Sequence, residues 1–170
     1  DTVMSILLLA MMVPFAATLI PLFKLFTGLG LQSTWIAYIL PTISTPFLIM
    51  LFRQSTRTFP REIIEAARID GLSEIKIFAK LYFPTMKSTY AAAMTVTFMN
   101  AWNNYLWPKV IMMSADSQTM PMMVANLSAG YSIDYGVLML GVLICSLPTG
   151  ILFLILQRSF TNGILGAVKG

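Results

Sequence analysis

Histidine is absent from this 170-residue sequence, cysteine occurs once, and only 11% of the residues are charged. Each shortage removes a class of chemistry. Without His, a Ser–His or Cys–His nucleophile has no base. A single Cys makes neither an internal disulfide nor a Cys/His zinc set, so no metal site is expected. No G-x-x-x-x-G-K-[ST] phosphate loop occurs anywhere, so the chain has no ATP site of this kind and no resident cofactor is expected. The chain does not read as an enzyme, nor as a partner of nucleic acid. Cys145 lies in an apolar run and reads as a small packing residue, and the thirteen Met residues as packing filler.

What is present is apolar. Hydrophobic residues make up 57% of the chain and mean hydropathy is +0.77. A soluble domain is nearer a quarter charged, because water must solvate its surface. The charge is also concentrated. Seven of the eleven Lys and Arg residues, and four of the seven acids, lie between Arg53 and Lys87. That pattern belongs to a membrane protein in contact with lipid.

Crossing a ~30 Å hydrocarbon core takes about 20 mostly apolar residues. Four stretches qualify as spans: 2–23, 35–52, 88–108 and 135–157. They carry Pro14, Pro21, Pro41, Pro46 and Pro148, which transmembrane helices tolerate because neighbours re-satisfy the freed carbonyls. The expected fold is an all-α polytopic bundle, with residues 1–157 as the membrane domain and 158–170 as a tail. The first stretch lacks the flanks of a signal peptide, and its start at Asp1 reads as the edge of a longer chain. Basic residues favour the cytoplasmic side. Placing 53–87 inside puts nine of the eleven there, with Arg158 and Lys169, and leaves Lys24 and Lys109 outside. Segment 112–134 then lies outside, and its Asn126-Leu127-Ser128 sequon reads as chance.

The 53–87 segment reads as two short helices around a break. Pro60 suits the first turn with Thr58 or Phe59 as cap. Ile63, Ala66 and Ala67 form an apolar face. Gly71 supplies a left-handed end, Ser73 caps the second helix, and Pro84 stops it. Small residues at such an elbow let another backbone approach closely. An amphipathic loop lying on the bilayer surface is the plainer alternative.

Glu65-Ala66-Ala67, three residues, Gly71, nine residues, then Leu81-Tyr82-Phe83-Pro84 resembles the EAA loop of ABC importer permeases, EAA-x3-G-x9-I-x-L-P. Leu81 and Phe83 depart from its Ile and Leu. Gly28-Leu29-Gly30-Leu31, Phe59-Pro60-Arg61-Glu62, Ala67-Arg68-Ile69-Asp70-Gly71, Ala101-Trp102-Asn103 and the ending 163–170 are similar to sugar-importing permeases of the maltose type, the MalG-like subunit. The resemblance implies a six-span type-1 transmembrane domain in the bacterial cell membrane, with two spans preceding Asp1. It implies ATP-coupled sugar import, with the loop, Asp70 included, docking on separate ATPase subunits that bind the ATP. It also implies a second homologous permease and an external solute-binding protein.

Asn100, Asn103, Asn104 and Trp107 fall at i, i+3, i+4 and i+7 of one expected helix, with Asn100 roughly 18 Å in from its cytoplasmic end. Tyr38 and Thr42 share a face with Trp35 and Thr45 in the second stretch. Rings beside amides and hydroxyls suit a sugar, so these are the candidate solute contacts. Packing amides and an aromatic belt account for the same residues. A permease of the same family for a non-sugar solute is the alternative, and an ion-coupled secondary transporter fits less well, because the four stretches hold no ionisable acid or base.

Overall fold

A computed structural model of the chain describes residues 2–43 and 45–168, with side chains described through Gln157. The described residues are helical, and no strand occurs among them. The helices are α1 (Thr2–Met12), α2 (Phe15–Gly28), α3 (Trp35–Ile39, continued by a 3-10 turn, Leu40–Thr42), α4 (Pro46–Arg57), α5 (Arg61–Ile69), α6 (Glu74–Ile77), α7 (Phe83–Thr85), α8 (Lys87–Trp102), α9 (Leu106–Ile111), α10 (Met120–Leu127) and α11 (Tyr135–Val168). A π segment, Phe78–Tyr82, joins α6 to α7. The chain forms two compact units, Asp1–Pro46 with Thr97–Leu152, and Phe47–Val96 with Phe153–Gly170.

Within α11, Tyr135–Gln157 is alone long and apolar enough to cross a membrane among the described residues, with a mean hydropathy of 2.4. Its start is well made: the Asp134 carboxylate accepts from the Gly136 and Val137 amides at 2.9 and 3.1 Å. The stretch 2–23 is not one helix. α1 and α2 meet at 93° and satisfy the length and apolarity of a span only together. The break falls at Pro14, which stands extended at φ −67° and ψ 137° and has no N–H to continue the α1 ladder. Trp35–Thr42 and Pro46–Arg57 likewise pass as a pair rather than singly. The stretch 88–108 also departs from expectation, because α8 ends at Trp102 after 16 residues. Pro108 would crowd the Asn104 carbonyl of a continuous helix. The Asn103 side chain also donates to the Met99 carbonyl at 3.0 Å, sharing that acceptor with its own backbone amide at 3.1 Å. The helix resumes at Leu106 after Tyr105, at φ −113° and ψ −45°.

The first unit is built on Phe26, Ala37, Trp107, Ile111 and Met112, with Leu19, Leu22, Phe23, Leu31 and Tyr38 packed around them. Trp107 lies edge-on to Phe15 and Phe26, at centroid distances of 6.4 and 6.0 Å. Its indole N–H donates to the Ala37 carbonyl at 3.1 Å. Beyond the C-cap of α2 at Leu29, Gly30 stands at φ 68° and the Leu31 amide reaches back to the Phe26 carbonyl.

Candidate functional site

Two places hold the residues singled out from the sequence, and each lies within one unit. In the second unit, Pro60 sits outside α5 as its N-cap, one residue earlier than the predicted first-turn position. Thr58 does not cap α5; its hydroxyl donates back to the Ser55 carbonyl. Gly71 stands at φ 77°. The Leu72 amide donates to the Ala67 carbonyl and the Gly71 amide to the Arg68 carbonyl, both at 3.0 Å. These two bonds make a complete Schellman ending, which needs the left-handed residue that glycine supplies at least cost. Ser73 precedes α6, but its side chain makes no capping hydrogen bond.

Pro84 does not stop the second helix. The chain runs through it as a π segment and α7, to a turn at Met86. The wider π turn lets the Phe83 amide bond the Phe78 carbonyl, and the Thr85 hydroxyl lies 2.8 Å from the Leu81 carbonyl. The helical run therefore absorbs the missing proline N–H.

The predicted Ile63–Ala66–Ala67 face divides. Ala67, 8% exposed, is packed inside the unit, as are Ile77 and Met86. Its partner position in the Schellman ending is Leu72, the usual hydrophobic closure. Glu65, Ala66 and Asp70 are exposed, as are Phe83 and Pro84, while Leu81 is half-buried. The most exposed apolar side chains of the elbow flank its break: Ile69 at 87% and Ile75 at 80%. An ion pair also spans it. Arg68 Nε is 2.7 Å from Glu74 Oε1 and its terminal nitrogen 3.2 Å from Oε2. The hydrogen bond from Arg68 holds the Glu74 carboxyl below its ordinary range and raises the guanidinium in turn. Stability from this pair is thus present above the usual carboxylate range and lost only as pH falls through the lowered value. Arg61, Glu65, Arg68, Glu74 and Tyr82 surround a hollow of about 250 Å³ beside the pair.

In the first unit, a cavity of about 830 Å³ opens among α2, the 3-10 turn and the α8–α9 break. Asn100, Asn104, Trp107 and Thr42 line it, with Thr18 and Thr45. The Thr42 hydroxyl donates to the Ile39 carbonyl at 2.8 Å. Trp107 forms wall rather than contact, being 1% exposed with its N–H bonded to Ala37.

Asn103 and Tyr38 are not brought to this cavity. The break at Asn103 ends the helical periodicity, so the expected four-residue face does not exist. Asn103 lines a separate groove of about 490 Å³ with Tyr105, Ser128 and Ser146. Tyr38 donates to the Ala101 carbonyl at 2.8 Å and ties α3 to the end of α8. The sequence reading missed Phe15 and Thr18, which reach the cavity because the chain turns sharply at Pro14. Their spacing with Leu22 and Leu25 on α2 marks a face, but nothing in the spacing says what it faces.

The chain is similar to known proteins in sequence and in fold. The chain is 47% identical over 169 residues, 99% of its length, to the lactose transport system permease protein LacG of Rhizobium radiobacter, covering 62% of that protein. It is 36% identical over 171 residues to the arabinooligosaccharides transport system permease protein AraQ of Bacillus subtilis, covering all of this chain and 61% of that protein. Against the sn-glycerol-3-phosphate transport system permease protein UgpE of Escherichia coli the identity is 29% over 163 residues, 95% of this chain and 58% of the relative. The chain thus spans about three-fifths of the length of the curated relatives it matches. Its fold is that of a chain in the crystal structure of a bacterial ABC transporter involved in the import of the acidic polysaccharide alginate. The TM-score is 0.74 at 21% identity, over 94% of this chain and 61% of that one. The family model for the binding-protein-dependent transport system inner membrane component matches residues 1–165, and the chain belongs to that family.

Proposed function

We propose that the chain is part of the solute-conducting subunit of an ATP-driven importer of a neutral carbohydrate, in the bacterial inner membrane. Its partners are separate ATPase subunits, a second homologous permease and an external solute-binding protein. The observation that carries the reading is the 61–85 elbow. It joins the Glu65-Ala66-Ala67…Gly71 spacing to a left-handed Gly71 and an exposed apolar rim at Ile69 and Ile75. An elbow of that kind offers close backbone approach and a desolvatable patch to the ATPase.

The cargo follows from charge. The large cavity is lined by three threonines, two asparagines, aromatic rings and apolar side chains, without a charged group among its lining residues. Hydroxyls and amides meet sugar hydroxyls, and the exposed Phe15 ring meets the C–H face of the sugar. A phosphate or carboxylate cargo would find no cation there, and buried charge without a partner is costly. The assembled transporter is therefore expected to take up lactose or a short oligosaccharide and not sn-glycerol 3-phosphate. ATPase stimulation of the reconstituted complex, measured across these solutes with their binding proteins, checks it. Stimulation by the phosphate ester alone would overturn the neutral cargo.

Within that cavity, Asn104→Leu is expected to raise the solute concentration for half-maximal uptake about three- to tenfold, the usual worth of one lost hydrogen bond. Asn103→Leu, outside the cavity, should leave that concentration unchanged. Equal effects from both, in uptake assays at matched membrane levels, would remove the cavity from the pathway.

The orientation places 53–87 in the cytoplasm and 112–134 outside, on the nine-to-two division of basic residues. Replacing Cys145 by Ser keeps its backbone carbonyl, which accepts from the Trp102 indole at 2.8 Å. In that background an impermeant thiol reagent on intact cells should label Ser117→Cys and spare Ser73→Cys. The reverse labelling inverts the topology.

A further inference from the structure

We infer that Arg68 and Glu74 form a clasp that sets the angle of the elbow, and so aims its outward face. The inference rests on the proposal that this elbow docks on the ATPase. α5 and α6 are joined by four residues, 70–73, of which Gly71 is the one held left-handed. A Schellman ending fixes the exit from α5 but not the direction in which α6 leaves. Ser73, which could have set the start of α6 with its hydroxyl, makes no capping bond. Direct side-chain bonding from α5 to α6 among the described residues runs through Arg68 and Glu74, in a fork with two contacts of 2.7 and 3.2 Å. Such a fork restrains orientation as well as distance, which a lysine's point charge does not.

The setting shows which surface the clasp governs. Arg68 and Glu74 are 55% and 70% exposed, so the pair adds little to the core of the unit. Ile69 stands next to Arg68, and Ile75 next to Glu74, and these are the two most exposed apolar side chains of the elbow. Glu65, one turn before Arg68 on α5, lines the same hollow as both clasp residues. Opening the clasp changes how Ile69, Ile75 and Glu65 are presented, and leaves Ala67, Ile77 and Met86 buried. The clasp residues are positioning residues.

The experiment uses the assembled transporter with Cys145→Ser and spin labels at Glu62→Cys and Lys76→Cys. Arg68→Met and Glu74→Gln should each broaden the distance distribution between the labels. Each should lower uptake per ATP hydrolysed by about fivefold, the upper end for an exposed pair. Arg68→Lys should fall between parent and Arg68→Met, and the swap Arg68→Glu with Glu74→Arg should restore both readouts. Parental distances and coupling in both single variants overturn the clasp, as does a swap no better than the singles. Loss of the permease from the membrane in the singles, regained in the swap, overturns the positioning role in favour of a folding one. Ile69→Asp and Ile75→Asp separate the two ideas. If they release the ATPase while the clasp variants stay parental, only the clasp fails. If ATPase association ignores them, the docking reading fails, while the label distances still decide the clasp.

Discussion

Gly71→Val is expected to abolish ATPase-coupled uptake while leaving the permease in the membrane. A Cβ built at Gly71 meets nothing within 4 Å, so there is no clash to relieve. The cost is in the backbone alone. At φ 77° an L-residue crowds Cβ against the adjoining peptide group, at about 1–2 kcal/mol, and more for a β-branched side chain. The chain escapes that strain by moving φ to a negative value, which breaks the 3.0 Å bonds from the Gly71 and Leu72 amides. Once they are broken, α6 leaves α5 in another direction and Arg68 no longer meets Glu74. Membrane insertion depends on the apolar stretches, which the substitution does not touch. Gly71→Asn is the control for geometry against volume, since Asn tolerates the left-handed region, and it should keep most of the uptake. Co-purification of the ATPase, uptake and the membrane level of the permease are measured together. Normal ATPase binding and uptake in Gly71→Val would remove the elbow from coupling.

The elbow was legible in the sequence because its signals are local. Glycine after an apolar turn, small residues before it and a fixed spacing each have one physical meaning at short range. Gly71 accordingly stands at the predicted left-handed position. The membrane class was legible for the same reason, in charge distribution and apolar run length. Pro84 was misread because propensity treats proline as a stop, whereas a π turn ahead of it takes up the missing donor. The Arg68–Glu74 pair was invisible, since a separation of six residues across a turn matches no helical spacing rule. The polar face at 100–107 failed at Asn103, where α8 has ended and the helical period stops. Periodicity extends a face only as far as the helix lasts, and Pro108 acted one turn upstream of itself.

Trp107→Ala is expected to cause the largest loss of stability, about 3–5 kcal/mol for a buried aromatic, seen as a lower thermal midpoint in detergent and less permease in the membrane. Trp107 is central to the first unit, touching Phe15 and Phe26 edge-on and donating to the Ala37 carbonyl. Truncation leaves a void in a dry cluster with Ile111 and Met112, and removes the donor that α3 receives from outside its own ladder. In hydrocarbon the void loses packing rather than hydrophobic drive, because lipid is as apolar as the cluster. Trp107→Phe keeps much of the ring volume and loses the donor, so about 1–2 kcal/mol should go, the worth of one hydrogen bond and a small gap. That gradation, Ala well below Phe and Phe below the parent, is the signature of a wall. A tryptophan whose ring served the solute alone would give the opposite pattern, with full membrane levels and unchanged midpoints in both variants beside altered uptake. Ala37 offers an independent check at the same contact. It is fully buried, and Ala37→Leu should push α3 off the indole and lower the midpoint as Trp107→Ala does, without altering any polar group of the cavity.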